Sequence, residues 1–384
     1  MSGRGVRSLL LATSFPPAVG GIETLLYQTS RRLARPPLVV APNPGTAPDL
    51  QVWQVRTTPH SLPGAIGYRA TWLLHPSLHY LATFWRTAVA AARTVLPEVV
   101  QCGHVYLAPL AWLVARRLRC PFIAYAYGQE VWRDGRPMGL APLDRLLRGR
   151  ALASADAVLS LGGFTSRLLH DWGVSPSRIV RVPFGAEPRP ATPPPKGTTL
   201  LSVCRLVPRK GVDTVIRALP AVMRSVPTVQ YRVVGSGPDE SRLRDLAAAE
   251  GVADRIQLLG GLDDEALARE YQRCALFVLP SRCTPDGELE GLGLVYFEAA
   301  AWGRPVLAGR SGGEVDAVED HVTGRLVDGT SVATVAEALV EMLADQARLR
   351  AMGVAGRRRV ETTHNWSRAA ATVDEVLRRV RNGL

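Results

Sequence analysis

Short apolar runs alternate with amphipathic segments along the first half of the chain. Apolar runs of strand length occupy residues 6–12, 37–41, 98–102, 121–127, 157–161 and 179–183. Apolar residues at helical spacing follow at 22–33, 77–96 and 106–118. Strands that alternate with helices predict a doubly wound parallel sheet, so the fold class is α/β.

The same pattern begins again in the second half. Predicted strands lie at 199–204, 230–234, 256–259, 276–280, 305–308 and 324–327. Predicted helices lie at 211–224, 240–250, 264–273 and 293–302. A last helical segment, 365–380, extends beyond the natural end of this second α/β pattern. We therefore expect two Rossmann-like domains, and two such domains place a ligand site in the cleft between them.

A proline-rich segment separates the two halves. Residues 188–197 contain five prolines in ten positions, which excludes a helix or a central strand and indicates a linker. The predicted domains are residues 1–187, completed by the C-terminal helix at 365–384, and residues 198–364.

Composition narrows the class of protein. Of the 384 residues, 47% are hydrophobic and 21% are charged, which excludes disordered, collagen-like and disulfide-scaffold chains. No apolar run approaches the ~20 residues of a membrane-spanning helix, and the five-residue run at 8–12 is too short for a signal peptide. Five cysteines without metal-ligand spacing predict buried thiols in a reducing compartment. We therefore expect a cytoplasmic protein.

Positive charge is concentrated in the first half. The net charge is +12, yet residues 1–196 hold 22 Lys and Arg against 9 Asp and Glu, whereas the remainder holds 24 against 25. This asymmetry favours an anionic partner: a membrane surface, an acidic acceptor or a nucleic acid. No nucleic-acid-binding module is recognisable, so we expect no nucleic acid. Arginine supplies 44 of the 46 cationic residues, so a compositional bias is the competing explanation for the charge.

Two glutamates frame the most informative motif, Glu290-Gly-Leu-Gly-Leu-Val-Tyr-Phe-Glu298. Its Gly-Leu-Gly turn is predicted to open a helix, whose free N–H groups form an anion site that glycine leaves accessible. Glu298 would then reach a ribose diol, and Glu290 a sugar hydroxyl or a developing positive centre. A surface glutamate beside a helix-start glutamate is the alternative.

A second motif, Arg205-Leu-Val-Pro-Arg-Lys-Gly211, also connects a predicted strand to a helix. Arg205 as a bidentate fork and Lys210 as a point charge suit a diphosphate. The alternative is a solvated basic loop. Lys210 is one of two lysines in an arginine-rich chain, which favours a chemical role.

Two glycine-rich loops complete the candidate chemistry. Gly20 and Gly21 open the first predicted helix and could cover phosphates, or could simply form a helix start. Gly235-Ser-Gly-Pro-Asp-Glu240 resembles the beginning of a dinucleotide fingerprint, but Glu240 stands at the third glycine position and no ribose-binding acidic residue is evident. An NAD(P)-dependent oxidoreductase is therefore disfavoured.

Aromatic residues and arginines are mixed over residues 53–93. Such a mixture suits a membrane interface or a sugar-binding loop, and ordinary helix packing is the alternative. The residues are Trp53, Arg56, Tyr68, Arg69, Trp72, Tyr80, Phe84, Trp85, Arg86 and Arg93.

Taken together, these motifs resemble the retaining glycosyltransferases of the GT-B fold, in the large family 4 group. The resemblance spans nearly the whole chain and includes residues 15–23, 205–211, 234–237, 290–306 and 365–366. Residues 205–211 and 281–306 look most like the phosphatidylinositol mannoside mannosyltransferases that use GDP-mannose.

The resemblance implies a role for each matching position. Arg205 and Lys210 would hold the donor diphosphate, and Glu298 the ribose. Glu290 would hold the donor sugar together with the backbone of the helix start. Gly20 and Gly21 would close over the phosphates. The remaining donor-binding positions are Gly235, Gly261, Leu262, Gly291, Leu292, Gly293 and Leu294. No metal is implied, and no cofactor apart from the nucleotide-sugar co-substrate.

One position departs from the family pattern. Family members often carry a His-Gly pair where this chain has Tyr127-Gly128, so Tyr127 replaces a histidine that helps to hold the donor sugar. A tyrosine hydroxyl can still donate a hydrogen bond, with a different reach. Gln129 and Glu130 become candidate contacts to the acceptor or sugar, and a packed aromatic is the alternative reading of Tyr127.

The expected activity is transfer of a sugar, with mannose from GDP-mannose favoured, to a hydroxyl of a lipid or glycolipid with retention at the anomeric carbon. A UDP- or other NDP-sugar and a soluble natural-product acceptor such as an aminoglycoside form one alternative. A GT-B sugar-nucleotide epimerase is an alternative of another class. The basic half suggests peripheral attachment to the inner face of the plasma membrane.

Overall fold

A computed structural model describes residues 5–18, 20–42, 49–55, 77–132, 141–190 and 197–383. The chain forms two compact units. The N-terminal unit comprises Met1–Val182 and Trp366–Leu384, and the C-terminal unit comprises Pro183–Asn365. The division falls before the predicted linker, of which residues 191–196 lie outside the described residues.

Seven parallel strands form the sheet of the N-terminal unit, in the order β3-β2-β1-β4-β5-β6-β7. Most of these strands are buried along their whole length, as expected where helices cover both faces of a parallel sheet. The strands are β1 (Ser8–Leu11), β2 (Leu38–Ala41), β3 (Val52–Gln54), β4 (Val99–Cys102), β5 (Phe122–Ala126), β6 (Ala157–Ser160) and β7 (Ile179–Arg181).

Helices connect these strands and supply the rest of the core. The helices are α1 (Gly21–Ser30), α2 (Ser77–Val95), α3 (Ala108–Leu118), α4 (Gln129–Trp132), α5 (Ala141–Ala153) and α6 (Gly163–Asp171). The last helix of the chain, Trp366–Arg381, packs against α1 and buries Val373 and Leu377. This helix therefore completes the N-terminal unit although it follows the C-terminal unit in sequence.

Six parallel strands form the sheet of the C-terminal unit, in the order β10-β9-β8-β11-β12-β13. These strands are β8 (Thr199–Val203), β9 (Gln230–Val234), β10 (Ile256–Leu258), β11 (Leu276–Leu279), β12 (Val306–Gly309) and β13 (Gly324–Val327). Counted within each unit, both sheets begin 3-2-1-4-5-6, the doubly wound order. The predicted α/β class with two Rossmann-like domains is confirmed.

Helices again cover both faces of this second sheet. They are α7 (Val212–Ser225), α8 (Glu240–Ala249), α9 (Asp264–Arg273), α10 (Leu294–Ala301), α11 (Glu314–Ala317), α12 (Val332–Ala344) and α13 (Gln346–Thr362). With these labels, the C-terminal helix Trp366–Arg381 is α14. The core of this unit includes Leu200, Val233, Val278 and Leu339.

The structure departs from the sequence prediction in several places. Strand β3 and helices α4, α5, α6, α11, α12 and α13 are additional elements. Cys102 and Cys274 are buried as expected, Cys120 and Cys204 are half-buried, and Cys283 is exposed. The expectation of a buried thiol was wrong for Cys283 because it lies in the loop after β11, outside the apolar strand. No helix among the described residues is long and apolar enough to cross a membrane.

Candidate active site

Strand order reverses once in each sheet, and ligands of doubly wound sheets bind at the carboxyl ends of the strands at this point. In the N-terminal unit the reversal lies between β1 and β4, and in the C-terminal unit between β8 and β11. The loops at these ends carry Gly20 in the first unit and Arg205, Lys210 and Glu290 in the second. Within each unit, the candidate residues therefore collect where its topology predicts a ligand.

The C-terminal unit holds a compact charged cluster. Lys210 ends a short 3-10 turn, Pro208–Lys210, that connects β8 to α7, and its Nζ contacts Glu290 Oε2. The Arg209 guanidinium donates to the same oxygen from Nη1 at 3.2 Å. Lys210 and Glu290 are only 8% and 9% exposed, so each charge depends on the other for compensation.

Two opposing effects set the ionisation of Glu290. Burial by itself would raise its pKa, but the charges of Lys210 and Arg209 and their hydrogen bonds lower that pKa to about 2. Glu290 is therefore a carboxylate at neutral pH. It can accept hydrogen bonds from hydroxyl groups or face a developing positive charge.

Arg205 differs from its neighbours in the same loop. Its side chain is exposed, and within the described parts of the chain it has neither an ion-pair nor a hydrogen-bond partner. An exposed guanidinium close in sequence to Lys210 and Arg209 leaves a bidentate donor available for an anion.

The predicted turn before α10 has the expected geometry. Gly293 is the N-cap of α10 with φ at 81°, a left-handed conformation that side chains rarely adopt. A Cβ at this position would overlap the ring of Tyr296. Gly291 is partly exposed and Leu292 is buried, while Leu294 is the first helical residue. The first N–H groups of a helix have no partner within the helix, so the start of α10 is suited to bind an anion.

Glu298 lies on the first turns of α10 and is half-buried. Tyr271 of α9 donates a hydrogen bond to Glu298 Oε2 at 2.9 Å. Burial raises the pKa of Glu298, and the bond from Tyr271 opposes that shift. The tyrosine fixes one carboxylate oxygen and leaves the other to a ligand.

The remaining predicted donor-binding residues lie on neighbouring loops. Gly235 follows β9 with φ at 120°, and a Cβ there would overlap the carbonyl oxygen of Cys204, so only glycine allows the β8 and β9 loops to pack this closely. Gly235 N donates to Gly260 O at 2.7 Å, which ties these loops to the loop that carries Gly261 and Leu262. Gly261 is exposed and Leu262 is partly buried.

In the N-terminal unit, Gly20 is the N-cap of α1 and Gly21 is its first residue. The backbone of Gly20 is extended, with φ at 178°, so its conformation does not itself require glycine. A Cβ at Gly20 would overlap the carboxylate of Glu23. An acidic side chain thus shares the helix start where the resemblance places phosphates.

Tyr127 is buried at the end of β5, and its phenol is already engaged. Tyr127 OH donates to Gly103 O at 2.8 Å, and Tyr127 N donates to Glu130 Oε1 at 2.6 Å. Burial raises the pKa of Tyr127 well above its ordinary value and that of Glu130 to about 7. Glu130 is the second residue of the short helix α4, at whose start Gln129 is partly exposed. The sugar contact expected of Tyr127 would require its hydroxyl to exchange partners or to share them.

Three residues that the sequence prediction did not single out belong to these clusters. Arg209 shares Glu290 with Lys210 and could have been found, because it lies inside the basic motif. Glu314 is fully buried near Glu290, and its Oε1 accepts from Ser311 Oγ at 2.8 Å. His104, after β4, lies edge-on to Tyr127 with ring centroids 5.7 Å apart. A single histidine or glutamate outside a motif carries no distinguishing sequence signal.

In the aromatic and arginine-rich segment 53–93, the described aromatic rings are packed and the described arginines are exposed. Trp53, Tyr80 and Trp85 pack against the core around buried Phe84, whereas Arg86 and Arg93 are exposed. Arg56, Tyr68, Arg69 and Trp72 lie outside the described residues. For the residues that can be placed, the alternative of helix packing accounts for the aromatic rings.

Two family models match the chain in succession. The model described as Glycosyltransferase Family 4 covers residues 19–189, and the model described as Glycosyl transferases group 1 covers residues 185–359. Together they span both units, and the group 1 match contains the basic loop and both glutamates of the Glu290–Glu298 motif.

Curated relatives match this chain over nearly their whole length and its own. A GDP-mannose-dependent alpha-(1-6)-phosphatidylinositol monomannoside mannosyltransferase from Mycobacterium tuberculosis is 33% identical, over 97% of this chain and 98% of that protein. A GDP-mannose-dependent monoacylated alpha-(1-6)-phosphatidylinositol monomannoside mannosyltransferase from Corynebacterium glutamicum is 30% identical over 94% of each chain.

Among solved structures, sucrose-phosphate synthase from Thermosynechococcus elongatus superposes with a TM-score of 0.78 at 23% identity. The match covers 99% of this chain and all of that one. At this level of identity the likeness establishes the fold alone, and it confirms the predicted GT-B class.

Proposed function

The chain belongs to the glycosyltransferase family that joins a Family 4 region to a group 1 region, and we propose that it transfers mannose from GDP-mannose to a hydroxyl of a phosphoinositide-type glycolipid. The observation that carries this proposal is the similarity of both units to relatives named for that donor and that class of acceptor. Retention of configuration is part of the proposal and follows from the resemblance.

The basic loop would serve the leaving group. As the bond between the anomeric carbon and the donor phosphate oxygen breaks, negative charge accumulates on the diphosphate. Lys210 is fixed beside Glu290 before the reaction, and Arg205 is exposed and available to the diphosphate, so both cations can stabilise the charge that develops on the leaving group. The acceptor hydroxyl forms the new bond on the same face, and its proton passes to an oxygen of the departing diphosphate.

Glu290 would have two successive partners. Without donor, it neutralises Lys210 and Arg209. When the donor diphosphate binds to these two cations, the Glu290 carboxylate becomes available. It can then accept hydrogen bonds from hydroxyls of the transferred sugar and stabilise the positive charge that develops on the sugar ring. Glu298, oriented by Tyr271, would accept from the ribose.

We also propose that no metal ion is required, because Arg205, Arg209 and Lys210 already supply positive charge in the basic loop. Turnover should be unchanged in excess EDTA. Loss of turnover in EDTA that Mg²⁺ or Mn²⁺ restores would overturn this part of the proposal.

A surface of the N-terminal unit supports attachment to an anionic membrane. On helix α5, the exposed side chains include Leu143, Leu146 and Leu147, together with Arg145 and Arg150 and with Asp144, which pairs with Arg148. Leucines that enter the headgroup region beside arginines that pair with lipid phosphates are typical of peripheral membrane helices. We therefore propose a cytoplasmic enzyme that acts at the inner membrane face and has no nucleic-acid partner.

Vesicle sedimentation tests the attachment. Binding should require anionic lipid, weaken at high salt, and fall several-fold in the double variant Leu146→Gln/Leu147→Gln. Val354→Gln is the matched control, because Val354 is an exposed apolar residue of the C-terminal unit. Binding that ignores lipid charge, or that the double variant retains, would contradict a membrane face on α5.

A donor panel separates the main proposal from its alternatives. GDP-mannose should raise the melting temperature more than UDP-sugars or NAD(P), and mannose should appear on lipid rather than on an aminoglycoside. Transfer from a UDP-sugar to a soluble acceptor would favour the natural-product alternative. Conversion of the nucleotide sugar without any acceptor would favour an epimerase.

A further inference from the structure

His104 occupies the reversal point of the N-terminal sheet. It lies two residues after the end of β4, and the intervening Gly103 N donates to Leu11 O of β1 at 2.7 Å. A Cβ on Gly103 would lie 3.0 Å from Leu11 O and 3.2 Å from Leu26 Cδ1, tighter than most real contacts. Glycine at 103 thus brings the end of β4 close to β1 and α1, and this approach places the imidazole at the topological ligand site.

One nitrogen of the imidazole is held by the backbone. Thr13 N, in the loop between β1 and α1, donates to His104 Nδ1 at 3.4 Å. Burial lowers the pKa of His104 to about 3, so the ring is neutral at physiological pH. A neutral ring that accepts at Nδ1 carries its proton on Nε2. His104 is therefore a fixed hydrogen-bond donor.

The donor end of the ring has no partner. In the regions that the structure describes, Nε2 makes no hydrogen bond, while Cys102 Sγ donates to the backbone oxygen of His104 at 3.0 Å. The residue is 7% exposed, so it is buried apart from a small edge. The Nε2 atom is not fully buried, so the unpaired donor lies at this edge. A ligand that binds at this edge would satisfy it.

We propose that His104 donates a hydrogen bond from Nε2 to a hydroxyl oxygen of the acceptor's cyclitol or sugar headgroup and so helps to select the acceptor. This inference rests on the proposed function, since it takes the N-terminal unit as the acceptor side. Nδ1 is already occupied and the ring stays neutral, so His104 does not remove the proton of the attacking hydroxyl. Its contribution is to acceptor binding.

Steady-state kinetics with GDP-mannose and phosphatidylinositol monomannoside test this role. His104→Phe keeps a ring but loses the donor, and should raise the acceptor KM about 10- to 100-fold, the range for a buried group left unpaired. The donor KM should stay within twofold. His104→Gln keeps an N–H donor and should recover most of the loss. His170→Gln, at an exposed histidine of α6, is the control.

Titration of ¹⁵N-histidine-labelled protein with a soluble inositol mannoside gives a readout independent of turnover. The His104 resonances should show the Nε2–H tautomer from pH 5 to 8, and Nε2 should shift when the headgroup binds. An unshifted Nε2, an acceptor KM unchanged by His104→Phe, or equal losses in the Phe and Gln variants would overturn the inference. If the wild type transfers nothing to glycolipid, the proposed function fails, and the headgroup titration still decides the role of His104.

Discussion

At the scale of single residues, Lys210 and Glu290 form the part of the candidate site whose energetics are best defined. Both are almost fully buried and they contact each other directly. Removing Glu290 leaves Lys210 buried without this counter-charge, whereas removing Lys210 leaves Glu290 paired with Arg209, and removing both leaves Arg209 beside Glu288. Stability and activity should therefore respond differently to single and double substitutions.

Glu290→Gln should lower the free energy of unfolding by about 3–5 kcal/mol, Lys210→Met should lower it less because Arg209 still pairs with Glu290, and the double variant should recover much of the loss caused by Glu290→Gln. Sugar transfer should fall at least ~100-fold in all three, because the diphosphate loses its cation or the sugar loses its carboxylate. Urea unfolding and initial rates provide the two measurements. The exposed pair Arg244 and Glu240 is the control, expected to change by less than ~1 kcal/mol. Full activity in the double variant would refute the roles assigned to this pair.

Glu314 provides a residue-scale test of the electrostatics around Glu290. Burial and the negative charge of Glu290 raise its pKa from 4.5 to about 7, against hydrogen bonds that favour the carboxylate. Because the folded pKa exceeds the unfolded one, the stabilisation is complete below about pH 4.5 and is lost as pH rises through about 7. The folded state therefore binds a proton at Glu314 more strongly than the unfolded state does.

Glu314→Gln resembles that protonated form, so its stability relative to wild type should increase from pH 5 to pH 8. Chemical unfolding at several pH values measures the difference. Glu319→Gln serves as the control, because Glu319 is exposed in the same segment and pairs with Arg359. A difference between Glu314→Gln and wild type that is flat or falls with pH would contradict the raised pKa.

At the scale of elements, the sequence predicts the fully buried strands and the strand-to-helix loops best. Twelve of the thirteen strands lie at predicted positions. The one that was not predicted is β3, Val52–Gln54, which is three residues long and partly exposed. Helix α13 is obscured by Gly353 and Gly356, which weaken helix propensity. Gly353 packs so closely on Gly303 that a Cβ would overlap its carbonyl oxygen. Such tertiary contacts have no local sequence signal.

The turn that starts α10 can be tested against a matched glycine. Gly293 and Gly251 have similar left-handed φ angles of 81° and 68°, but a Cβ meets the Tyr296 ring at the first and nothing within 4 Å at the second. Both alanine variants should lose about 1–2 kcal/mol for the backbone conformation. Gly293→Ala should lose more and should also weaken GDP binding. Equal stability losses with unchanged GDP affinity would contradict a tightly packed donor loop.

At the scale of the whole molecule, the resemblance predicts the GT-B class and the enzyme family, and both are confirmed. The pairing of Lys210 with Glu290, the engaged phenol of Tyr127 and the oriented imidazole of His104 could not be predicted. Each depends on residues from strands that are distant in sequence, for example the 80 positions between Lys210 and Glu290. The motifs predict which loops carry the chemistry, and the tertiary structure determines which side chains remain free to perform it.

The difference in net charge between the two halves of the chain can also be interpreted at this scale. The second half is near-neutral because its 24 cationic residues are balanced by 25 acidic ones, and its basic loop lies beside Glu290. The excess positive charge lies in the first half, where α5 presents arginines beside exposed leucines. This arrangement supports the proposal that the excess charge serves the acceptor and the surface that carries it rather than the donor phosphates.

The most direct test is to identify the product that the purified protein forms from GDP-mannose and vesicles containing phosphatidylinositol monomannoside. Mass spectrometry should show one hexose added to the lipid with an equal amount of GDP released, and NMR should show an α-anomeric linkage. Arg205→Ala should abolish this product while the fold is retained. An unmodified lipid, together with turnover of GDP-mannose in the absence of acceptor or transfer from a UDP-sugar to a soluble molecule, would contradict the account.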